Sequence, residues 1–239
     1  MVKQESYDVV TIMETWWDDS HNWSAALDGC KLFRTHRQGR RDEGMALYIR
    51  EALNAMEIET NDDKVECLWV RIRGKANKAD ILVGVCYRPP NQEEEVDNLF
   101  YKQLVDVSRS PALVLVGDSN LPDICWELNT AEKRWSRRFL ECMEDNVLSQ
   151  LVSEPTRGET MLDLLFANRE GLVGDVMVRG RLRKSGHEMI EFSIFGETRR
   201  GFNETSTLDV QRADFGLNKR LIQRVPWEAA LKNKGVQEG

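Results

Sequence analysis

The 239-residue chain has no uninterrupted apolar run of the ~18 residues that a membrane-crossing helix needs. Its opening segment, Met1-Val-Lys-Gln-Glu5, lacks the apolar stretch of a secretion signal. A basic excess is also missing: 33 Lys and Arg stand against 40 Asp and Glu, a formal charge of −7. That balance excludes binding to nucleic acid by bulk electrostatics, because nonspecific binders neutralise phosphates with a surplus of cations. It does not exclude a nuclease, whose metal-binding carboxylates lower the net charge while local cations such as Arg37, Arg40 and Arg41 meet the phosphates. The cysteines, Cys30, Cys67, Cys86, Cys125 and Cys142, show neither CxxC spacing nor a neighbouring histidine, which excludes a zinc finger. Their odd number and scatter point to a reducing compartment, and the expectation is an intracellular protein without membrane contact. Internal repeats and low-complexity tracts are absent too. With 41% apolar and 31% charged residues, the chain is neither fibrous nor disordered, and it is long enough to bury a sizeable core.

What is present is a series of short, β-branched apolar clusters separated by turn chemistry. Val9 to Ile12, Met45 to Ile49, Cys67 to Ile72, Ile81 to Cys86, Leu113 to Val116, Leu162 to Phe166, Val173 to Val178 and Met189 to Ile194 read as strands. Helical spacing occurs over Glu93 to Ser108 and over Ala131 to Asn146. The polar link from Arg73 to Asp80 makes a hairpin of the two strands it joins. Many strands and few helices predict an α+β fold with two sheets face to face and helices outside. One domain is expected over 1–198, followed by a polar linker or partner-docking tail over 199–239.

Groups with chemical potential stand where these strands end. Glu14 follows the first strand, and a carboxylate there can hold a hard cation, which prefers oxygen ligands. Gly117-Asp118-Ser119-Asn120 follows the run Leu113 to Val116. An acid and an amide two apart on an extended chain share a side, and together can activate a water and hydrogen-bond a phosphate oxygen. Asp163 lies inside an apolar strand, where burial without a partner would be costly. His187 precedes the last strand, and an aspartate that orients a histidine fixes its tautomer and stabilises the imidazolium. Taken singly, each of these groups also fits a surface or turn role.

The order of these signals resembles the endonuclease/exonuclease/phosphatase superfamily, and within it the apurinic-type endonuclease domains of non-LTR retrotransposons of the chicken-repeat clade. The resemblance is carried by Glu14-Thr-Trp-Trp17, Ala46-Leu-Tyr-Ile-Arg50, Cys86-Tyr-Arg-Pro-Pro-Asn91, Gly117-Asp-Ser-Asn120, Glu154-Pro-Thr-Arg157, Leu162-Asp-Leu-Leu-Phe166 and Ser185-Gly-His-Glu188. It implies a four-layer α/β sandwich and Mg²⁺-dependent hydrolysis of a DNA phosphodiester, with Mn²⁺ as a substitute. The 3′-hydroxyl left behind would prime the reverse transcriptase domain of the parent element, in the nucleus. By resemblance Glu14 is the metal ligand, Asp118 activates the attacking water and Asn120 holds a phosphate oxygen. His187 stabilises developing charge, Asp163 orients it and Tyr87 lines the phosphate side.

The sequence departs from that family in two places that matter. Where the family has Ser-Asp-His the chain has Ser185-Gly186-His187, so a carboxylate is missing. Glu188 is a poor substitute, since neighbours on a strand face opposite ways. The chain also begins after the family's first strand and helix, which predicts a truncated domain with an open sheet edge and impaired activity. Ser119 replaces a usual aromatic, and Asp42-Glu43 replaces a glycine-rich step, both tolerable for folding. Three functions compete on these grounds: a Mg²⁺-dependent DNA endonuclease, a catalytically inactive remnant that at most binds DNA or a protein, and a phosphatase for a small phosphoester.

Overall fold

A computed structural model of the chain describes residues 7–15, 27–35, 44–60, 64–75, 78–181 and 186–196. The expected tail at 199–239, the cations Arg37, Arg40 and Arg41, Asp42-Glu43, Trp16-Trp17 and Ser185 lie outside the described residues. In chain order the elements begin β1 (Val9–Thr15), β2 (Cys30–Arg34), β3 (Gly44–Arg50), β4 (Ala55–Ile58), β5 (Cys67–Ile72) and β6 (Ile81–Tyr87). Helix α1 (Glu94–Val107) leads to β7 (Leu113–Asp118), β8 (Ile124–Cys125), β9 (Thr130–Ala131) and helix α2 (Arg134–Asp145). The chain continues with β10 (Ser149–Gln150), β11 (Asp163–Ala167), β12 (Val173–Arg179) and β13 (Met189–Ile194).

All eight expected strands and both helices are present within a few residues of their predicted bounds. Strands β2 and β4 and the two-residue β8, β9 and β10 are additions, and β4 shows why: its burial runs buried, exposed, exposed, intermediate, so no alternation marks it. The predicted start of α2 is too early, because Thr130–Ala131 pairs with Ile124–Cys125 instead of entering the helix.

The main sheet has the order β10-β11-β7-β6-β5-β4, and a second, three-stranded sheet runs β1-β3-β2. The predicted β5–β6 hairpin forms, and β6 and β7 are parallel, with α1 as the crossover. The main sheet is therefore mixed. Its side chains alternate strictly between two cores, as a sheet covered on both faces requires. Val70, Val83, Val85, Val114, Val116 and Leu165 point to one face, where Met45, Leu47 and Ile49 of β3 and partly buried residues of β12 and β13 meet them. Trp69, Leu82, Leu113, Leu115, Leu164 and Phe166 point to the other, against Phe100 and Leu104 of α1 and Phe139 and Met143 of α2. Helices thus cover the outer face of the large sheet while its inner face packs on further strands, as expected of an α/β sandwich.

The hairpin register places Cys67 opposite Cys86, and the two form a disulfide across 19 residues of sequence. The reducing compartment inferred from scattered cysteines does not anticipate this bond, because linear spacing is blind to which residues a hairpin sets face to face. Cys30, Cys125 and Cys142 are free thiols.

At the start of α2 no side chain caps the helix from the adjoining position. Asp123, ten residues earlier, does that work instead: one oxygen accepts the Lys133 N–H at 2.9 Å and the other accepts the Ser136 hydroxyl at 2.8 Å. Burial alone would raise the pKa of Asp123. The hydrogen bonds from Lys133, Ser136 and its own backbone, with the Lys133 charge, outweigh that and bring it below the ordinary carboxylate value.

Candidate active site

The parallel register of β6 with β7 pairs Tyr87 with Asp118, and the antiparallel register of β7 with β11 pairs Asp118 with Asp163. The three side chains therefore form one row across adjacent strands. Each continues its strand's inward alternation, after Val83 and Val85, after Val114 and Val116, and before Leu165 and Ala167. The row lies at one end of the large sheet, on the face turned to the other strands. All three residues are buried, Asp118 at 3% and Asp163 at 5% exposure.

His187 joins the row from the segment before β13. Its Nδ1 lies 2.8 Å from Asp163 Oδ2, so the expected Asp–His pair exists and answers the need of a buried acid for a partner. Asp118, Asp163 and His187 each bring one potential ligand atom within 4.8 Å of the other two. Two buried carboxylates side by side repel, and a single imidazole does not balance them. The donor set therefore fits a hard divalent cation held chiefly through oxygen.

Close packing of backbone makes the row possible. A Cβ at Gly117 would sit 2.1 Å from the Cys86 carbonyl oxygen, so only glycine lets β7 approach β6 next to Tyr87 and Asp118. The role of this glycine is a contact inside the strand. Beyond Asp118 the chain leaves the extended region, with Asn120 at φ 48. The extended-chain argument for Asp118 and Asn120 sharing a side therefore fails. What holds them together is an Asx turn, in which the Asn120 N–H donates to Asp118 Oδ1 at 2.9 Å. The Asn120 amide nitrogen donates to the Arg88 carbonyl at 3.0 Å, leaving its second proton and its carbonyl for other partners. Ser119 is buried, and both its N–H and its hydroxyl donate to the Leu162 carbonyl, which ties the turn to the segment entering β11.

Two positioning residues escaped sequence reading. Thr156 is fully buried; its hydroxyl oxygen accepts the N–H groups of Leu162 and Asp163, and its carbonyl accepts the Glu188 N–H at 2.8 Å. One residue thus ties the backbone of Asp163 to that of Glu188, the residue after His187. Arg88 is the second: its N–H donates to the Asp118 carbonyl, and its guanidinium forms a two-pronged pair with Asp97 of α1 at 2.9 Å. The Pro89-Pro90 step, which cannot continue a strand ladder, explains why the chain turns there. Glu14, the expected metal ligand, stands in β1 where the pairing with β3 is irregular between Ile12 and Thr15. Its side chain lies outside the described residues.

The comparisons with known proteins agree with this architecture. The family model for the Endonuclease/Exonuclease/phosphatase family matches residues 1–185. No curated protein sequence matches the chain. Among solved structures, the endonuclease domain of TRAS1, a telomere-specific non-LTR retrotransposon, is similar at 19% identity and a TM-score of 0.57, over 70% of this chain and 81% of that one. The 3′-5′ exonuclease NExo from Neisseria meningitidis is similar at 14% identity and a TM-score of 0.59, over 78% and 89%. The catalytic domain of human Nocturnin reaches 14% identity and a TM-score of 0.53, over 79% and 81%. Identities this low establish a shared fold and leave substrate open. The fold, the row of site residues at the sheet's end and a family match spanning most of the sequence place this chain in the endonuclease/exonuclease/phosphatase family.

Proposed function

We propose that the chain is a divalent-metal-dependent phosphodiesterase domain acting on DNA, an endonuclease of the non-LTR retrotransposon type. The observation that carries this reading is the row Tyr87, Asp118, Asp163 completed by His187 at 2.8 Å from Asp163. The retrotransposon strings of the sequence, the TRAS1 domain among similar folds and the lack of a broad basic surplus favour a site-directed nuclease over a nonspecific binder.

A Mg²⁺ or Mn²⁺ held by Glu14 would neutralise phosphate charge and polarise the phosphoryl group. The chain's own residues do the rest. Asp118, as a buried carboxylate, accepts a proton from the attacking water. Asn120 offers an amide proton to a phosphate oxygen, while its Asx turn holds it beside Asp118. His187 faces the charge that develops on the phosphate, and Asp163 fixes its orientation through Nδ1. Tyr87, beside Asp118 in the row, offers a phenolic hydroxyl on the phosphate side. Hydrolysis of this kind, leaving a 3′-hydroxyl, would supply a primer to a reverse transcriptase domain of the parent element.

A second reading rests on Gly186. With no carboxylate before His187, the domain would keep the fold and the Asp163–His187 pair without catalysis, as an inactive remnant that at most binds DNA or a protein. Supercoiled-plasmid nicking with Mg²⁺, and with EDTA as control, separates the two. The endonuclease reading expects nicking that Asp118→Ala reduces by at least about 10²-fold with an unchanged far-UV circular dichroism spectrum. Equal nicking by the variant overturns the site assignment, and absence of nicking in the unaltered chain favours the remnant.

A further inference from the structure

We infer that Arg157 is a phosphate-binding residue beside Gly186, on the segment that carries His187, and that the absence of a side chain at Gly186 is what leaves its guanidinium available to DNA. The inference rests on the reading of the chain as a DNA phosphodiesterase and names one group that grips the backbone flanking the reacting phosphate.

Among the described residues, three arginines stand on segments that carry or latch the site: Arg88, Arg157 and Arg181. Two are already neutralised. The Arg88 guanidinium is held by both oxygens of Asp97 at 2.9 Å, and Arg181 pairs with Glu188 at 3.0 Å. Arg157 is exposed, and among the described residues its side chain makes neither a hydrogen bond nor an ion pair. Its place is nevertheless fixed. The Arg157 N–H donates to the Thr160 carbonyl at 3.0 Å and its carbonyl accepts the Thr160 N–H at 3.1 Å, closing a tight turn. Buried Thr156, immediately before it, is bonded to the backbone of both Asp163 and Glu188.

The side chain lies against the residue that precedes the histidine. A Cβ built on Gly186 would have Arg157 Nε as its nearest neighbour, at 3.8 Å, an ordinary contact distance. A carboxylate at that position would have the space to form and a guanidinium within reach, so Asp at 186 would do to Arg157 what Asp97 does to Arg88. With glycine there, a planar cation that is unpaired among the described residues is held by a rigid turn against the residue before His187. A phosphodiester oxygen pair suits it, because the fork of a guanidinium matches that geometry. This also reconciles an acidic chain with a polyanionic substrate: among the described residues it places an uncommitted charge beside the segment that carries His187.

The test measures binding without chemistry, by fluorescence anisotropy of a labelled DNA duplex in EDTA across a salt series. The unaltered chain is compared with Arg157→Ala, Arg157→Lys, Gly186→Asp and the Arg157→Ala/Gly186→Asp double variant. The expectation for Arg157→Ala is about tenfold weaker binding and a slope of log affinity against log salt reduced by about 0.9, one phosphate contact. Arg157→Lys should keep the slope, since the charge remains. Gly186→Asp should weaken binding, and much less so once Arg157 is gone, because there is then no guanidinium to capture. Arg157 has no side-chain partner to lose among the described residues, so a matching thermal melt is expected of its variants. An Arg157→Ala protein that binds with unchanged affinity and slope overturns this inference while leaving the nuclease reading intact. Failure of the unaltered chain to bind DNA at all overturns both.

Discussion

Asp163 enters an apolar strand at 5% exposure, and the His187 imidazole answers it at 2.8 Å. An asparagine in its place would preserve volume and lose the charge that steadies a positive imidazole and selects its tautomer. Asp163→Asn should therefore lower plasmid nicking by about 10²- to 10⁴-fold, with the circular dichroism spectrum unchanged; nicking within a factor of a few of the unaltered chain would argue that His187 works without it. Residues of this kind are legible from sequence, because an acid inside an apolar run and a lone histidine before one are conspicuous. Thr156 was invisible for the opposite reason. A threonine among loop residues is unremarkable until its hydroxyl is seen to accept two backbone N–H groups at once. Asn120 was found for a wrong geometric reason, since strand alternation does not extend past Asp118.

At the scale of elements, strands that alternate between two cores announced themselves, whereas β4, short and half exposed, did not. The start of α2 moved because its capping group comes from ten residues upstream, a distance at which local capping rules do not look. That cap is a titratable one. Asp123 has a folded pKa below its ordinary value, so its stabilisation is fully present above the unfolded pKa of about 3.9 and is lost as the pH falls through the lowered folded value. Asp123→Asn should cost about 1 kcal/mol near neutrality. The gap between the two proteins in urea denaturation should close as the pH drops below about 4. A gap that stays constant across that range would mean that the carboxylate charge contributes nothing and only its shape matters.

The molecule as a whole was partly readable: two sheets with helices outside follow from strand count and order, and the mixed character of the main sheet follows from one helical crossover between β6 and β7. What pattern could not supply was which strands become neighbours. The order β10-β11-β7-β6-β5-β4 brings residues 87, 118 and 163 level with one another, and a segment arriving late in the chain adds residue 187. No local stretch contains even a rudimentary version of the site. Contacts of such long sequence separation form only as the overall topology does, so the proposed hydrolysis requires the assembled sheet. Measured over a urea series, the loss of nicking should coincide with the loss of sheet circular dichroism; nicking that outlasts the sheet would show the chemistry to be locally held. The dispersed row is thus a safeguard as well as a scaffold: the proposed hydrolysis becomes possible only once residues from four distant parts of the chain have met.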